Sequence, residues 1–132
     1  MRRLTVLAAL ALGLAACGGP SVPKDAVKIT VGLTGGSVMP YSITIAPGGA
    51  VTTKGFPPVK PKPLTSAEDV ELSRLVRARI GKFKTLLCAR SLSDEASRFI
   101  TALGKTVAVR GTCEPGFTKL LYALTNALDL NK

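Results

Sequence analysis

Apolar and polar residues alternate along two stretches in the first half of the sequence. Every second residue is apolar from position 27 to 33, and the same period returns from position 41 to 45. A period of two places successive side chains on opposite faces of a strand. Both stretches are therefore predicted to be strands with one buried face. Gly35-Gly36 ends the first strand, Pro47-Gly48-Gly49 is a turn, and residues 50–54 are a short third strand in an antiparallel meander.

Four prolines between residues 55 and 63 exclude both a helix and a central strand. The segment is predicted to be an extended connector, and the alternative is a proline-rich ligand for a partner. Thr65 and Glu68 then have the spacing of a capping box, which begins a helix that Gly81 is expected to end. The apolar stripe of this helix consists of Leu72, Leu75, Val76 and Ile80.

The last third of the chain is predicted to contain a hairpin and a second helix. Residues 83–92 are expected to be irregular or to form a short helical segment. Residues 98–103 and 106–110 form the hairpin, joined by Gly104-Lys105, which suits a type II′ turn. Pro115 fits the first position of a helix. The inward-facing residues of that helix are expected to be Phe117, Leu120, Leu121, Leu124 and Leu128.

The predicted order of elements is therefore β-β-β-α-β-β-α. Because the strands alternate, one face of their sheet is expected to be solvated while amphipathic helices cover the other. We predict an α+β fold, an antiparallel sheet of four to five strands with two helices packed on one face.

The first sixteen residues have the layout of an export signal. Arg2 and Arg3 precede an apolar stretch that is shorter than the about 20 residues a membrane-spanning helix needs. Leu14-Ala15-Ala16-Cys17 resembles the lipobox of bacterial lipoproteins, in which the cysteine thiol receives diacylglycerol before the signal is cut. We expect a lipid-bearing Cys17 at the new N-terminus. The alternatives are an ordinary secretory signal or a short buried helix.

This interpretation divides the chain into three parts. Residues 1–16 are the removed signal peptide, residues 17–25 a lipidated flexible tether, and residues 26–132 one small α+β domain. Acyl chains on Cys17 would hold the domain to the cell membrane, facing outside the cytoplasm.

Two cysteines remain once Cys17 is lipidated, Cys88 and Cys113. In an exported protein such a pair favours a disulfide. The alternatives are a redox pair or a metal site, but the chain has no histidine and no Cys-x-x-Cys motif, and two thiols alone make a poor zinc site. We predict a structural Cys88–Cys113 bridge.

Residues that commonly carry catalysis are scarce. Histidine, the usual general base and metal ligand, is absent. Most of the eight acidic residues stand at the start of the first helix or in Asp94-Glu95, where capping and solubility explain them. No phosphate-binding loop, dinucleotide fingerprint or nucleophile elbow occurs. We expect no enzymatic activity, no cofactor and no metal.

The charge is strongly positive, with 18 basic and 8 acidic residues. Arg2 and Arg3 leave with the signal, so 16 basic residues remain and the net charge is +8. The cations predicted to form a patch for an anionic surface, such as acidic phospholipid or an envelope polymer, are Lys54, Lys60, Lys62, Arg74 and Arg77. The alternative is a solvated, solubilising face. Nucleic acid is not expected as a partner, because the few aromatic residues are placed in the core.

Four motifs follow one another along the chain. They are Thr34-Gly35-Gly36 at a strand end, Leu72-Ser73-Arg74-Leu75-Val76 in the capped helix, the hairpin at 99–109 and residues 117–124 in the last helix. In this order they resemble emfourin-like domains, small bacterial proteins whose named member inhibits thermolysin-like metalloproteases. The resemblance covers residues 27–128. It implies a small α+β domain and, as one function, a surface-tethered inhibitor of a secreted metalloprotease.

Two functional hypotheses follow. The first is a membrane-anchored envelope lipoprotein that acts as a non-enzymatic binding or accessory module. The second is the tethered protease inhibitor, which must present a rigid, exposed loop to the protease cleft. The candidate binding loop consists of Gly35, Gly36, Ser37, Val38, Met39 and Pro40.

The lipobox makes lipidation of Cys17 the first testable prediction. We expect the intact mass of the membrane-extracted protein to begin at Cys17 and to include acyl chains. Since the lipid is the expected anchor, Cys17→Ser should shift the protein from the detergent phase to the aqueous phase. A Cys17→Ser protein that partitions like the parent would contradict the prediction.

Overall fold

The two alternating stretches form neighbouring antiparallel strands in the computed structural model, which describes residues 22–131. Residues 1–21, including Cys17 and the predicted signal, lie outside this range. The elements are β1 (Ile29–Thr34), β2 (Tyr41–Ile45), β3 (Val51–Gly55), α1 (Ser66–Arg79), a 3-10 turn (Ile80–Lys82), β4 (Leu86–Leu87), β5 (Ser97–Ala102), β6 (Lys105–Arg110) and α2 (Pro115–Ala127). The predicted α+β class is confirmed.

The described strands form one sheet of six, in the order β3-β2-β1-β5-β6-β4. All neighbours are antiparallel except β4, which pairs in parallel with Val109 and Arg110 of β6. The prediction of four to five strands does not include β4, because residues 83–92, which contain it, are predicted to be irregular or helical. β4 consists only of Leu86 and Leu87, both exposed. Two exposed residues show no alternation of apolar and polar positions, so the sequence pattern does not indicate a strand here.

Cross-strand register places the apolar residues on one face. Ile29 of β1 stands opposite Ile45 of β2 and Ala102 of β5, and all three are buried. The same face carries Val31 and Ile100, likewise paired and buried. The helices supply the remaining core residues, chiefly Leu72, Val76, Phe117, Leu120, Leu124 and Leu128.

The opposite face of the sheet is partly solvated, as the alternation predicted. One cross-strand row of this face contains a threonine in each of five strands, and its members in spatial order are Thr52, Thr44, Thr30, Thr101 and Thr106. Their hydroxyls pair across strands, with Oγ1 atoms 3.0 Å apart in one pair and 2.8 Å apart in another. β-Branched side chains suit such a half-exposed pleated surface.

Strand directions give the sheet two distinct ends. Residues 22–28 enter at the start of β1, and register places the β2–β3 turn and the β5–β6 turn at the same end. We call this the tether end. The loop between β1 and β2 lies at the other end, which we call the loop end. β1 has six residues, so the two ends are about 20 Å apart.

Helix α1 lies along the tether end. Asp69 is fully buried there, and its Oδ2 accepts a hydrogen bond of 2.7 Å from the Gly48 N–H in the β2–β3 turn. One turn further, the Ser73 Oγ accepts a bond of 3.0 Å from the Val27 N–H. Since each acceptor meets the backbone of a different segment, α1 holds the turn and the start of β1 together.

The predicted capping box at the start of α1 is confirmed. The Thr65 hydroxyl accepts from the Glu68 N–H, and the Glu68 carboxylate accepts from the Thr65 N–H. That backbone hydrogen bond, with a further bond from Lys62, lowers the pKa of Glu68 below its ordinary value.

The C-terminal end of α1 differs from the prediction. Gly81 does not adopt a left-handed cap but lies within the 3-10 turn. The carbonyls of Gly81 and of Phe83, which follows this turn, accept hydrogen bonds from Lys105 Nζ.

Helix α2 begins at Pro115, as predicted. The five residues expected to face inward are all buried. Phe117 packs edge-on against Phe83, with ring centroids 6.0 Å apart. This contact joins α2 to the segment that follows α1, which the sequence predicted to be irregular or a short helix.

The Cys88–Cys113 disulfide is present. Cys88 follows β4, and its N–H donates to the Arg110 carbonyl at the end of β6. Cys113 stands two residues before α2. The bridge therefore fastens the last strand and the start of α2 to the edge strand β4. It closes a separation of 25 residues, which is worth about 3 kcal/mol in the chain-entropy treatment.

The β5–β6 hairpin is present, but its turn differs from the predicted type II′. Ala102 pairs with Lys105, so the two loop residues are Leu103 and Gly104. Their φ angles are 53° and 73°, and positive φ at both central positions defines a type I′ turn. The backbone twist of a type I′ turn matches the twist of the two flanking strands. The stability gained from this match outweighs the strain of the left-handed conformation at Leu103, which is about 1–2 kcal/mol for an L-residue.

Leu103 is half exposed, so replacing it should change the turn more than the core. We expect Leu103→Asn, which creates the favoured Asn-Gly pair, to raise the free energy of unfolding by about 1 kcal/mol. Urea unfolding measures this. Leu92→Asn is the matched control, because Leu92 is also exposed but has no positive φ. Equal effects of the two substitutions would show that relief of the turn is not the cause.

Candidate functional site

The predicted binding loop connects β1 to β2 and begins with two left-handed glycines. The φ angles of Gly35 and Gly36 are 74° and 68°, a region that other L-residues seldom adopt. The two glycines reverse the chain at the end of β1. All six residues of the loop, positions 35–40, are exposed.

The loop is fixed against a second loop that precedes β5. The Ser37 N–H donates to the Asp94 carbonyl at 3.0 Å. A Cβ on Gly36 would stand 2.5 Å from the same carbonyl oxygen and 2.7 Å from the Ala96 nitrogen. The two backbones therefore touch, and only glycine fits between them. This contact gives an exposed loop a defined position.

Large apolar side chains extend from this loop and its neighbours into solvent. Val38 is 49% exposed and Met39 is 65% exposed. Beside them, a Cβ on Gly55 would lie 2.4 Å from the Pro40 carbonyl oxygen, so the end of β3 packs on the end of the loop. Phe56, the next residue, is 71% exposed. The apolar surface thus continues from the loop onto the connector.

Exposed large apolar residues are distributed unequally between the two ends of the sheet. Nine are found among residues 22–131. Two, Val22 and Leu103, lie at the tether end. The seven toward the loop end are Val38, Met39, Phe56, Leu86, Leu87, Leu92 and Tyr122. A concentration of exposed apolar side chains at one end of a domain favours an interaction site there.

A groove of about 380 Å³ lies between the sheet and α2 near the loop end. Val31, Leu33 and Leu121 supply apolar walls, while Tyr41 and Arg98 supply polar groups. Burial raises the pKa of Tyr41, and the nearby Arg98 charge opposes this in part. Since that pKa lies above its ordinary value of about 10, Tyr41 is a neutral phenol at physiological pH. The groove can accept an apolar group with a polar or anionic end.

The five cations predicted as an anionic-surface patch occupy three segments. Lys54 is in β3 next to the loop end, Lys60 and Lys62 are in the connector, and Arg74 and Arg77 are in α1. Arg77 reaches the tether end, where its Nε lies 3.4 Å from the Asp25 carbonyl oxygen. Lys54 and Arg77 therefore lie toward opposite ends of the sheet.

Two of these cations already have acidic partners. Lys62 Nζ lies 3.1 Å from the Glu68 carboxylate, and Arg74 is ion-paired with Glu71 one turn earlier in α1. Both pairs are solvent-exposed, so each contributes little stability. Their positive charge is nevertheless offset locally, which leaves Lys54, Lys60 and Arg77 as the members without an ion pair in the described residues.

Asp69 is the acidic residue whose role the sequence did not reveal. It was expected to serve only the start of α1, yet it is buried and bonded to a turn 21 residues earlier. Its Oδ1 has no hydrogen-bond partner within residues 22–131.

No group of three potential metal-binding side chains occurs among residues 22–131. No described helix is long and apolar enough to cross a membrane.

The contact beneath the loop predicts a difference between two adjacent glycines. Gly35→Ala should lower the free energy of unfolding by about 1–2 kcal/mol through left-handed strain alone, because its nearest atom would be 3.8 Å away. Gly36→Ala has the same strain and should lose about 1–3 kcal/mol more by overpacking against Asp94. Urea unfolding of both variants measures the difference. Equal losses would mean that the two loops are not in contact.

Comparisons with known proteins found no family model, curated relative or solved structure that matches the chain. The resemblance to emfourin-like domains therefore stays a prediction from the sequence.

Proposed function

We propose that this protein is a lipid-anchored lipoprotein of the cell envelope that acts as a non-enzymatic binding or accessory module. The lipobox at Cys17 supports the anchor. The observation that carries the binding role is the concentration of exposed apolar side chains toward the loop end, seven of the nine in the described residues. Leaving such groups in water is unfavourable, and a partner that covers them gains about 25 cal/mol per Å² of apolar surface.

The direction of β1 supports this assignment. The chain enters the sheet at the tether end and β1 leads away from it, so an anchor at Cys17 leaves the loop end facing outward. A partner that approaches from the envelope space meets the apolar surface first. The backbone contact at Gly36 keeps that surface ordered before binding, which reduces the entropy lost on association.

A protease inhibitor is the second candidate, and the fixed loop is the observation that favours it. An inhibitory loop must remain rigid in the protease cleft while its side chains stay exposed. The Ser37–Asp94 backbone bond provides the rigidity, and Val38 and Met39 provide apolar side chains of the kind that fill a hydrophobic specificity pocket. The partner class would then be a secreted thermolysin-like metalloprotease, as the resemblance implies.

A double variant at the loop end and a control variant at the tether end test both candidates. We expect Met39→Asp with Phe56→Asp to reduce capture of an envelope partner at least tenfold, because two charges would have to be buried in the interface. Val22→Asp is the control, since Val22 is also more than half exposed but lies at the tether end. The measurement is quantitative capture from detergent-solubilised envelope, with inhibition of a thermolysin-like protease as the second readout.

The two readouts separate the candidates. Loss of capture without any protease inhibition by the parent protein supports the binding module. Inhibition by the parent that Met39→Asp with Phe56→Asp abolishes supports the inhibitor. If the double variant and Val22→Asp behave like the parent in both assays, the loop end is not the binding surface.

A further inference from the structure

We propose that the tether end of the domain rests on an anionic phospholipid surface, with Leu103 entering the headgroup region. This inference depends on the lipid anchor of the proposed function. It adds an orientation and a second contact surface, made by residues that the sequence did not associate with one another.

The first argument is the reach of the chain. Val22 stands beside the β2–β3 turn, where its Cγ2 would be 3.7 Å from a Cβ on Gly48. Val22 is the fifth residue after Cys17, and an extended chain spans at most about 3.5 Å per residue. Val22, at the tether end, therefore lies within about 18 Å of the lipidated cysteine.

The second argument is charge. Lys24 and Lys28 flank the entry into β1 and are exposed, and Arg77 of α1 contacts the backbone of the same segment. The acidic side chain in this segment is Asp25, so the group has a net positive charge. Each basic residue near an anionic membrane strengthens binding about fivefold, and the attraction decays over about 8 Å. The loop end, about 20 Å further out, is beyond that range.

The third argument is Leu103 itself. It lies at the tip of the β5–β6 hairpin at the tether end, 50% exposed, with a φ of 53°. An exposed leucine in a left-handed position is unfavourable in water on both counts, and asparagine would suit this turn better. Insertion of the leucine side chain into a bilayer interface compensates for the exposure. Register places Ile29 opposite Ala102, so Lys28 and Leu103, the residues next to this pair, lie at the same end of neighbouring strands. An apolar side chain near a cation is typical of interfacial membrane anchors.

A tryptophan reporter tests the contact directly, because the chain contains no tryptophan. The lipid-carrying protein is placed in vesicles of phosphatidylcholine with or without phosphatidylglycerol, each with brominated acyl chains. In the phosphatidylglycerol vesicles we expect Leu103→Trp to show blue-shifted emission and at least threefold stronger quenching than Leu92→Trp. Leu92 is the matched position, since it is 70% exposed and lies toward the loop end.

Charge reversal tests the role of the cations. In the Leu103→Trp protein, adding Lys24→Glu and Lys28→Glu should remove most of the quenching in phosphatidylglycerol vesicles. Adding Lys54→Glu and Lys60→Glu introduces the same charge elsewhere and should leave the quenching unchanged. Equal quenching at positions 103 and 92 would overturn the inference, and so would equal effects of the two reversals.

The intact mass of the same sample separates this inference from the proposed function. If acyl mass is present on Cys17 and the reporter at position 103 is not quenched, the anchor stands and the surface contact is refuted. If no acyl mass is present, the anchoring part of the proposed function fails, and the orientation inferred from it fails too.

Discussion

Strand β1 pairs along its length with β2 on one side and β5 on the other, and this double pairing determines most of the structure. Its register places Ile29 and Val31 on the face that the helices cover. A slip of one residue would move these side chains to the solvated face, because the side-chain period of a strand is two. The core therefore depends on β1 meeting the first meander and the later hairpin in one register, although β1 and β5 lie more than sixty positions apart in the sequence.

The direction of β1 also separates two surfaces of different character. The tether end carries Lys24 and Lys28 with two exposed apolar side chains, Val22 and Leu103, while the loop end carries seven exposed apolar side chains. This division fits the proposed lipid anchor at one end and the proposed partner at the other. A partner on the loop end would not compete with lipid for the same residues.

Both ends are held by contacts between segments distant in the sequence. At the tether end, buried Asp69 accepts from the β2–β3 turn and Ser73 accepts from the start of β1. At the loop end, Gly36 packs on the backbone of the loop before β5. The Cys88–Cys113 disulfide links the segment after β4 to the connection between β6 and α2. A domain of this size has a modest core, and these fixed points limit the motion of the loops it presents.

The sequence alone determined the α+β class, the alternating strands, the capping box at Thr65, the start of α2 at Pro115 and the pairing of Cys88 with Cys113. Each depends on local periodicity, on local capping chemistry or on elimination among three cysteines, so no long-range contact was needed. Tertiary structure decided the rest. β4 has no period because it is two exposed residues that exist as a strand only beside β6. The turn at Leu103 took its type from the twist of the paired strands, against the preference of its own residue. The two ends of the sheet, and the candidate surfaces on them, arise from strand direction and pairing, which hydrophobic pattern does not specify.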